Sequence, residues 1–145
     1  MKTFKTLLTT LFVAGLAASA YAGGCADCSS SKSESTTPDV SLDVLKTAVT
    51  EGSVTLIDVN GTQSYTAGHI PGAIDFQAVG KEGLVAFLPQ EKDALIVAYC
   101  GGPGCAAYKK AVDAATELGY TNVQHFSGGL KGWKEAGQAT KAVAG

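Results

Sequence analysis

The sequence predicts an α/β domain: a small parallel sheet covered by helices on both faces, three layers in all. Three observations predict it. The runs "VTLIDV" (Val54–Val59) and "ALIVAY" (Ala94–Tyr99) are of strand length, β-branched, and without the polar alternation of a strand that has one face in water. The segment "AAYKKAVDAATELGY" sets Tyr108, Ala111, Val112, Ala115 and Leu118 at three- and four-residue steps, with Lys109, Lys110, Asp113 and Glu117 opposite them. Strand and helix patterns alternate along the chain, which calls for parallel pairing with crossover helices. At 145 residues, 46% hydrophobic and 17% charged, the composition suits one domain.

In chain order, Lys2 and Lys5 precede an apolar run from Leu7 to Ala18 and the small-residue stretch Ala20-Tyr21-Ala22. That pattern predicts a secretory signal over residues 1–22, cut after Ala22; the run is short for a membrane span. The expected location is therefore exported, periplasmic or secreted. Residues 23–38, "GGCADCSSSKSESTTP" with its flanks, hold nothing apolar to bury and predict a flexible tether. The domain is expected over 39–138 and a short C-terminal tail over 139–145. "SLDVLKTAVTEG" predicts a helix capped by Ser41 and stopped by Gly52, with Leu42, Leu45, Ala48 and Val49 on its buried face. "NGTQSYTAGHIPGA" is read as turns leading to a short strand around Ile74–Phe76. "EGLVAFLPQEKD" predicts a helix broken at Pro89, "NVQHF" a strand, and "GGLKGWKEAG" a turn and a short helix.

The charge excludes some partners. The formal net charge is −2, and it becomes −4 without Lys2 and Lys5, which argues against nucleic acid and anionic membrane surfaces. All 11 basic residues are Lys; the sequence contains no Arg.

The four cysteines form two close pairs, Cys25 with Cys28 and Cys100 with Cys105, neither closing a long loop. "CADC" in the tether is compatible with a surface disulfide, a mobile thiol arm or a lipid anchor at Cys25, although "AGGC" lacks the Leu expected before a lipidated cysteine. A metal site is not expected, because no second Cys/His pair lies near. Cys100 ends an apolar strand and is followed by Gly101, Gly102, Pro103 and Gly104, a loop with almost no side chains over its amides. Such amides can converge on an anion, and with the end of the following helix they are expected to lower the thiol's pKa and make Cys100 a thiolate nucleophile. The bland alternative on the loop alone is a buried, inert cysteine.

The motifs "LIDV" at 56–59, "GHIPGA" at 68–73, "VAYCGGPG" at 97–104, "LGY" at 118–120 and "GGLKGW" at 128–133, in this order and spacing, resemble the rhodanese-like domain family over about residues 39–138. The resemblance implies a sulfurtransferase in which Cys100 forms a persulfide, taking sulfane sulfur from thiosulfate or a small persulfide and giving it to a thiol or other nucleophile. No cofactor is implied. Gly101, Gly102, Pro103, Gly104, Cys105 and Ala106 match the substrate-binding loop. Asp58 matches a structural position and is expected to order loop backbone; His69 is read as fixing its turn, and Trp133 as core. Loop arginines common in such domains are replaced by Gly101 and Cys105, and a strand-end Arg by Asn60, which weakens the case for thiosulfate as donor. A phosphatase relative would need an Arg to clamp phosphoryl oxygens, and none exists. Cys105 stands, on this reading, in the first turn of the helix, either as a catalytic thiol that resolves or relays the persulfide or as a small apolar filler. Two further functions remain open: a non-catalytic sulfur-binding or docking module, and a thiol–disulfide oxidoreductase using Cys100 and Cys105 with a redox partner protein.

Overall fold

The computed structural model describes residues 36–143. The expected signal, the tether up to residue 35, Cys25 and Cys28 lie outside the described residues. The four strands β1 (Thr55–Asp58), β2 (Ala73–Asp75), β3 (Ile96–Tyr99) and β4 (Val123–Phe126) form one sheet in the order β2-β1-β3-β4, all parallel. Around it run α1 (Leu42–Glu51), α2 (Thr62–Ala67), α3 (Phe76–Leu84), α4 (Tyr108–Glu117) and α5 (Gly129–Glu135). The sheet and its two helical layers agree with the predicted fold class.

Alternation along each strand divides the core. Ile57, Ile96, Ala98 and Val123 face α3 and α4, where Leu84, Ala111 and Ala115 are buried against them. Leu56, Val97, Tyr99 and Phe126 point the other way, into a second cluster with Leu45 of α1 and Leu130 and Trp133 of α5. Trp133 is core, as expected, and its indole N–H donates to the Ala139 carbonyl at 2.8 Å. α1 starts on Ser41, whose hydroxyl accepts from the Val44 amide, and ends at Gly52 in the left-handed conformation at φ 66.

Two elements differ from expectation. The segment read as turns contains α2, six residues that bury no side chain fully; its tie to the sheet is the Tyr65 hydroxyl donating to the Ala73 carbonyl at 2.6 Å. The helix placed at 82–93 instead begins at Phe76, because Asp75 caps it by accepting from the Gln77 and Ala78 amides at 3.0 and 3.2 Å. It kinks at Gly80 and ends before Pro89 is reached. Residues 139–143 lie along the domain: Lys141 exchanges both backbone hydrogen bonds with His69, at 2.9 and 2.8 Å, and the Val143 amide donates to Thr66.

Candidate functional site

In this strand order the chain leaves β1 toward β2 on one side and β3 toward β4 on the other, so the carboxyl ends of β1 and β3 flank the crevice where open parallel sheets receive ligands. Cys100 follows β3 directly and is 1% exposed. The chain then doubles back. The Cys105 amide donates to the Gly102 carbonyl at 3.4 Å across a turn with Pro103 second and Gly104 third, and Gly104 takes φ 83. Proline sets the first dihedral of a type II turn and glycine alone takes the positive φ that follows without strain. This turn brings Cys105 home: the Cys100 thiol lies 3.3 Å from the Cys105 carbonyl oxygen and 3.8 Å from that of Gly102. The start of the loop is fastened by α5, whose Leu130 and Lys131 amides donate to the carbonyls of Cys100 and Gly101 at 2.8 and 2.9 Å. That approach needs a bare α-carbon at Gly129, where a Cβ would sit 2.4 Å from the Cys100 carbonyl oxygen.

The electrostatics correct one expectation. The amides of Gly101 and Gly102 do face the Cys100 sulfur and favour its anion, but burial, followed by the hydrogen bond to Cys105, outweighs them and pushes this thiol up to about 11. Cys105, half-buried, moves the other way: a hydrogen bond from the Cys100 thiol, then the Ala107 amide, lowers its pKa. The two thiols are coupled through their hydrogen bond and titrate as a pair, with burial weighing on Cys100 and the hydrogen bonds favouring charge on Cys105. Cys105 also precedes the helix instead of standing in its first turn, since α4 begins at Tyr108; backbone amides, not the body of the helix, stabilise its charge. At neutral pH iodoacetamide should therefore alkylate Cys105 ahead of Cys100, as read by timed peptide mapping. The opposite order would show that the amides prevail over burial.

The remaining predicted residues take these places. Gly101, Pro103, Gly104 and Ala106 are exposed along the rim, and Gly102 is packed on Lys131. Asp58, 1% exposed, accepts from the Tyr99 hydroxyl at 2.7 Å and from both the backbone and the side-chain amide of Asn60 at 2.8 Å. The same Tyr99 hydroxyl accepts from the Ile70 amide at 3.0 Å, so Asp58 links the ends of β1 and β3 to the "GHIPGA" segment. Burial, then Asp58, pushes the Tyr99 phenol far up, keeping it a donor. Asn60, where a strand-end Arg was noted as missing, thus holds Asp58 and reaches Gly101. His69 is buried, stacks on Tyr65 with ring centroids 3.8 Å apart, and bonds the Tyr65 carbonyl through Nδ1 at 2.8 Å; its contacts serve the turn and the C-terminal segment. Among the described residues no group of three or more His, Cys, Asp or Glu stands together to hold a metal ion.

Sequence reasoning passed over His125. Its ring stacks on Tyr108 at 3.5 Å, next to the loop's exit, its Nδ1 lies 3.8 Å from Asp39, and its buried Nε2 has no hydrogen-bond partner among the described residues. Burial lowers its pKa, with Asp39 opposing. The unfolded chain then binds the proton more readily, so stability is full above the ordinary imidazole pKa and is lost as pH falls through it. The thermal midpoint should drop more steeply below about pH 6.5 in the wild type than in His125→Asn; parallel slopes would remove His125 from the acid response.

Fold and loop together define a class: an α/β domain that presents a cysteine at a strand end, faced by the amides of the glycine loop that follows it. The chain belongs to the rhodanese-like domain family, whose model matches residues 41–136. It is 40% identical over 86 residues to an HTH-type transcriptional regulator of Mycobacterium tuberculosis, a match covering 59% of this chain and 37% of that protein, so the chain spans little more than a third of that relative. It is 29% identical to a human thiosulfate:glutathione sulfurtransferase, over 68% of this chain and 94% of the relative. Among solved structures, the rhodanese-like domain of an Anabaena sp. protein superposes with a TM-score of 0.56 at 31% identity, covering 73% of this chain and 80% of that one.

Proposed function

We propose that this domain is a sulfurtransferase that carries sulfane sulfur as a persulfide on Cys100 and passes it to a small thiol. One observation carries the proposal: the Cys100 sulfur, at the end of β3, is faced by the amides of Gly101 and Gly102, in a chain with no guanidinium to do that work. A thiol that rests protonated is poor for attack, but Cys105 supplies the remedy. Moving one proton from Cys100 to the Cys105 thiolate across their hydrogen bond yields the Cys100 thiolate in its amide cradle. That thiolate attacks the outer sulfur of the donor, whose remaining part leaves with the bonding electron pair. An acceptor thiolate then takes the outer sulfur and returns Cys100 as thiolate.

The donor follows from the charges. Holding thiosulfate on amides alone forfeits the bidentate, charge-assisted contacts an Arg would give, so a persulfide or thiosulfonate donor is favoured. Beside the loop, a groove of about 340 Å³ between Asn60, Gln77, Ala107 and Lys110 offers a small acceptor a cation and amide groups. The human relative's name gives glutathione beside thiosulfate, which supports a small thiol as acceptor, while the donor proposed for this chain differs because it has no Arg. Burial of Cys100 is the observation that favours a second reading, a sulfur-binding module without turnover. The proposal extends to location, with residues 1–22 directing export, and to partners that are small sulfur compounds. Intact-mass spectrometry after exposure to a sulfane donor tests it: a gain of one sulfur mapped to Cys100, released on adding glutathione, supports transfer. A gain that glutathione does not remove supports the binding module, and the absence of both a gain at Cys100 and released sulfide overturns both.

A further inference from the structure

Cys105 has more to do than adjust a proton. The type II turn at Gly102–Cys105 returns the chain so that the Cys100 sulfur lies 3.3 Å from the Cys105 carbonyl oxygen, and the Gly101 amide faces both sulfurs. Both cysteines are free. An anion on either sulfur meets the Gly101 amide, joined by Gly102 at Cys100 and by Ala107 at Cys105, so each end of the pair has its own donors and one in common. Cys105 is also the more open of the two, able to ionise while Cys100 is buried.

Resting on the Cys100 persulfide proposed above, we infer that Cys105 is a resolving nucleophile, which attacks the inner sulfur of that persulfide, expels sulfide and leaves a Cys100–Cys105 disulfide. The Cys105 thiolate forms the new S–S bond to Cys100 Sγ, and the Sγ–outer sulfur bond breaks with its electron pair on the leaving hydrosulfide. The sulfane sulfur is reduced to sulfide, and the two cysteine sulfurs are oxidised to the disulfide. An external dithiol resets the pair by exchange. The domain then has two outlets for a bound sulfur: transfer to an acceptor thiol when one is present, and release as sulfide when none arrives. The substrate class for the second outlet is any sulfane donor that loads Cys100, with a dithiol as the consumed reductant.

The test uses the full chain, reduced and then freed of reductant, and benzenethiosulfonate as donor, which loads a thiolate and leaves as sulfinate, so that sulfide comes only from resolution. Cys100 and Cys105 fall in one tryptic peptide, Asp93–Lys109, where the disulfide is read as a loss of two hydrogens, separate from any change at Cys25 or Cys28. The expected wild-type result is about one sulfide per chain, the cross-linked peptide and little retained sulfur. In Cys105→Ser, and in Cys105→Ala as a second variant, loading is slower because the proton acceptor is gone, and it is carried to completion with excess donor at about pH 9, where more of the Cys100 thiol ionises; Cys100 then retains the added sulfur and sulfide release per loaded chain falls at least about tenfold. Retained sulfur at Cys100 in all three proteins, without cross-link, overturns the resolving role and leaves the persulfide intact. Sulfur at Cys100 in none of them overturns the persulfide itself.

Discussion

Replacing Cys100 with Ser abolishes sulfur loading, lowering single-turnover transfer by at least about a thousandfold, the scale on which losing a covalent nucleophile is felt. The hydroxyl is nearly isosteric and can donate to the Gly102 and Cys105 carbonyls as the thiol does, so the fold should hold its thermal midpoint to within a few degrees. It cannot ionise near neutrality, and the amides of Gly101 and Gly102 are left facing a neutral group. Loading measured by mass, with the midpoint as control, separates chemistry from unfolding. Undiminished sulfur uptake by Cys100→Ser would move the nucleophile elsewhere.

The second large effect is predicted at Gly129. A Cβ there meets the Cys100 carbonyl oxygen at 2.4 Å, the Gly102 nitrogen at 2.6 Å and the Gly102 α-carbon at 2.8 Å, all backbone atoms that cannot swing aside. The residue also sits at φ 58, where a side chain is strained. Gly129→Ala should cost about 3 kcal/mol in urea unfolding, combining overpacking with left-handed strain. Gly52→Ala is the control: φ is 66, but no atom lies within 4 Å of the new Cβ, so its cost should stay near about 1 kcal/mol. Equal costs at the two positions would mean that the contact between α5 and the loop yields freely. Sulfur loading should fall for Gly129→Ala and not for Gly52→Ala, because only the former displaces the backbone that carries the nucleophile.

What was legible in the sequence was what local chemistry determines. β1 and β3 announce themselves because burial on both faces demands unbroken apolar runs, and α1 because Ser41 and Gly52 punctuate it. α4 is visible from its spacing. α2 is not, since "TQSYTA" is polar and partly β-branched and depends on distant groups such as the Ala73 carbonyl taking the Tyr65 hydroxyl. α3 was misplaced because Asp75 ends a strand and caps a helix at once. At the site, the bare loop was evident from "CGGPGC", but desolvation is a three-dimensional quantity. No count of glycines reveals that Cys100 is covered while Cys105 keeps an opening, so the order of their acidities had to come from the fold. His125 was hidden for the same reason: a histidine in a five-residue strand gives no hint that Tyr108 will lie flat on it.

The two hydrogen bonds from α5 to the carbonyls of Cys100 and Gly101 divide the loop mechanically. Its root is bolted to a helix whose Leu130 and Trp133 are sunk in the core, whereas its crest at Pro103 and Ala106 is open to solvent. Under the proposed sulfur transfer, donor preference can thus drift, by natural variation or by engineering, through side-chain changes at the crest, while the Cys100 sulfur keeps its address.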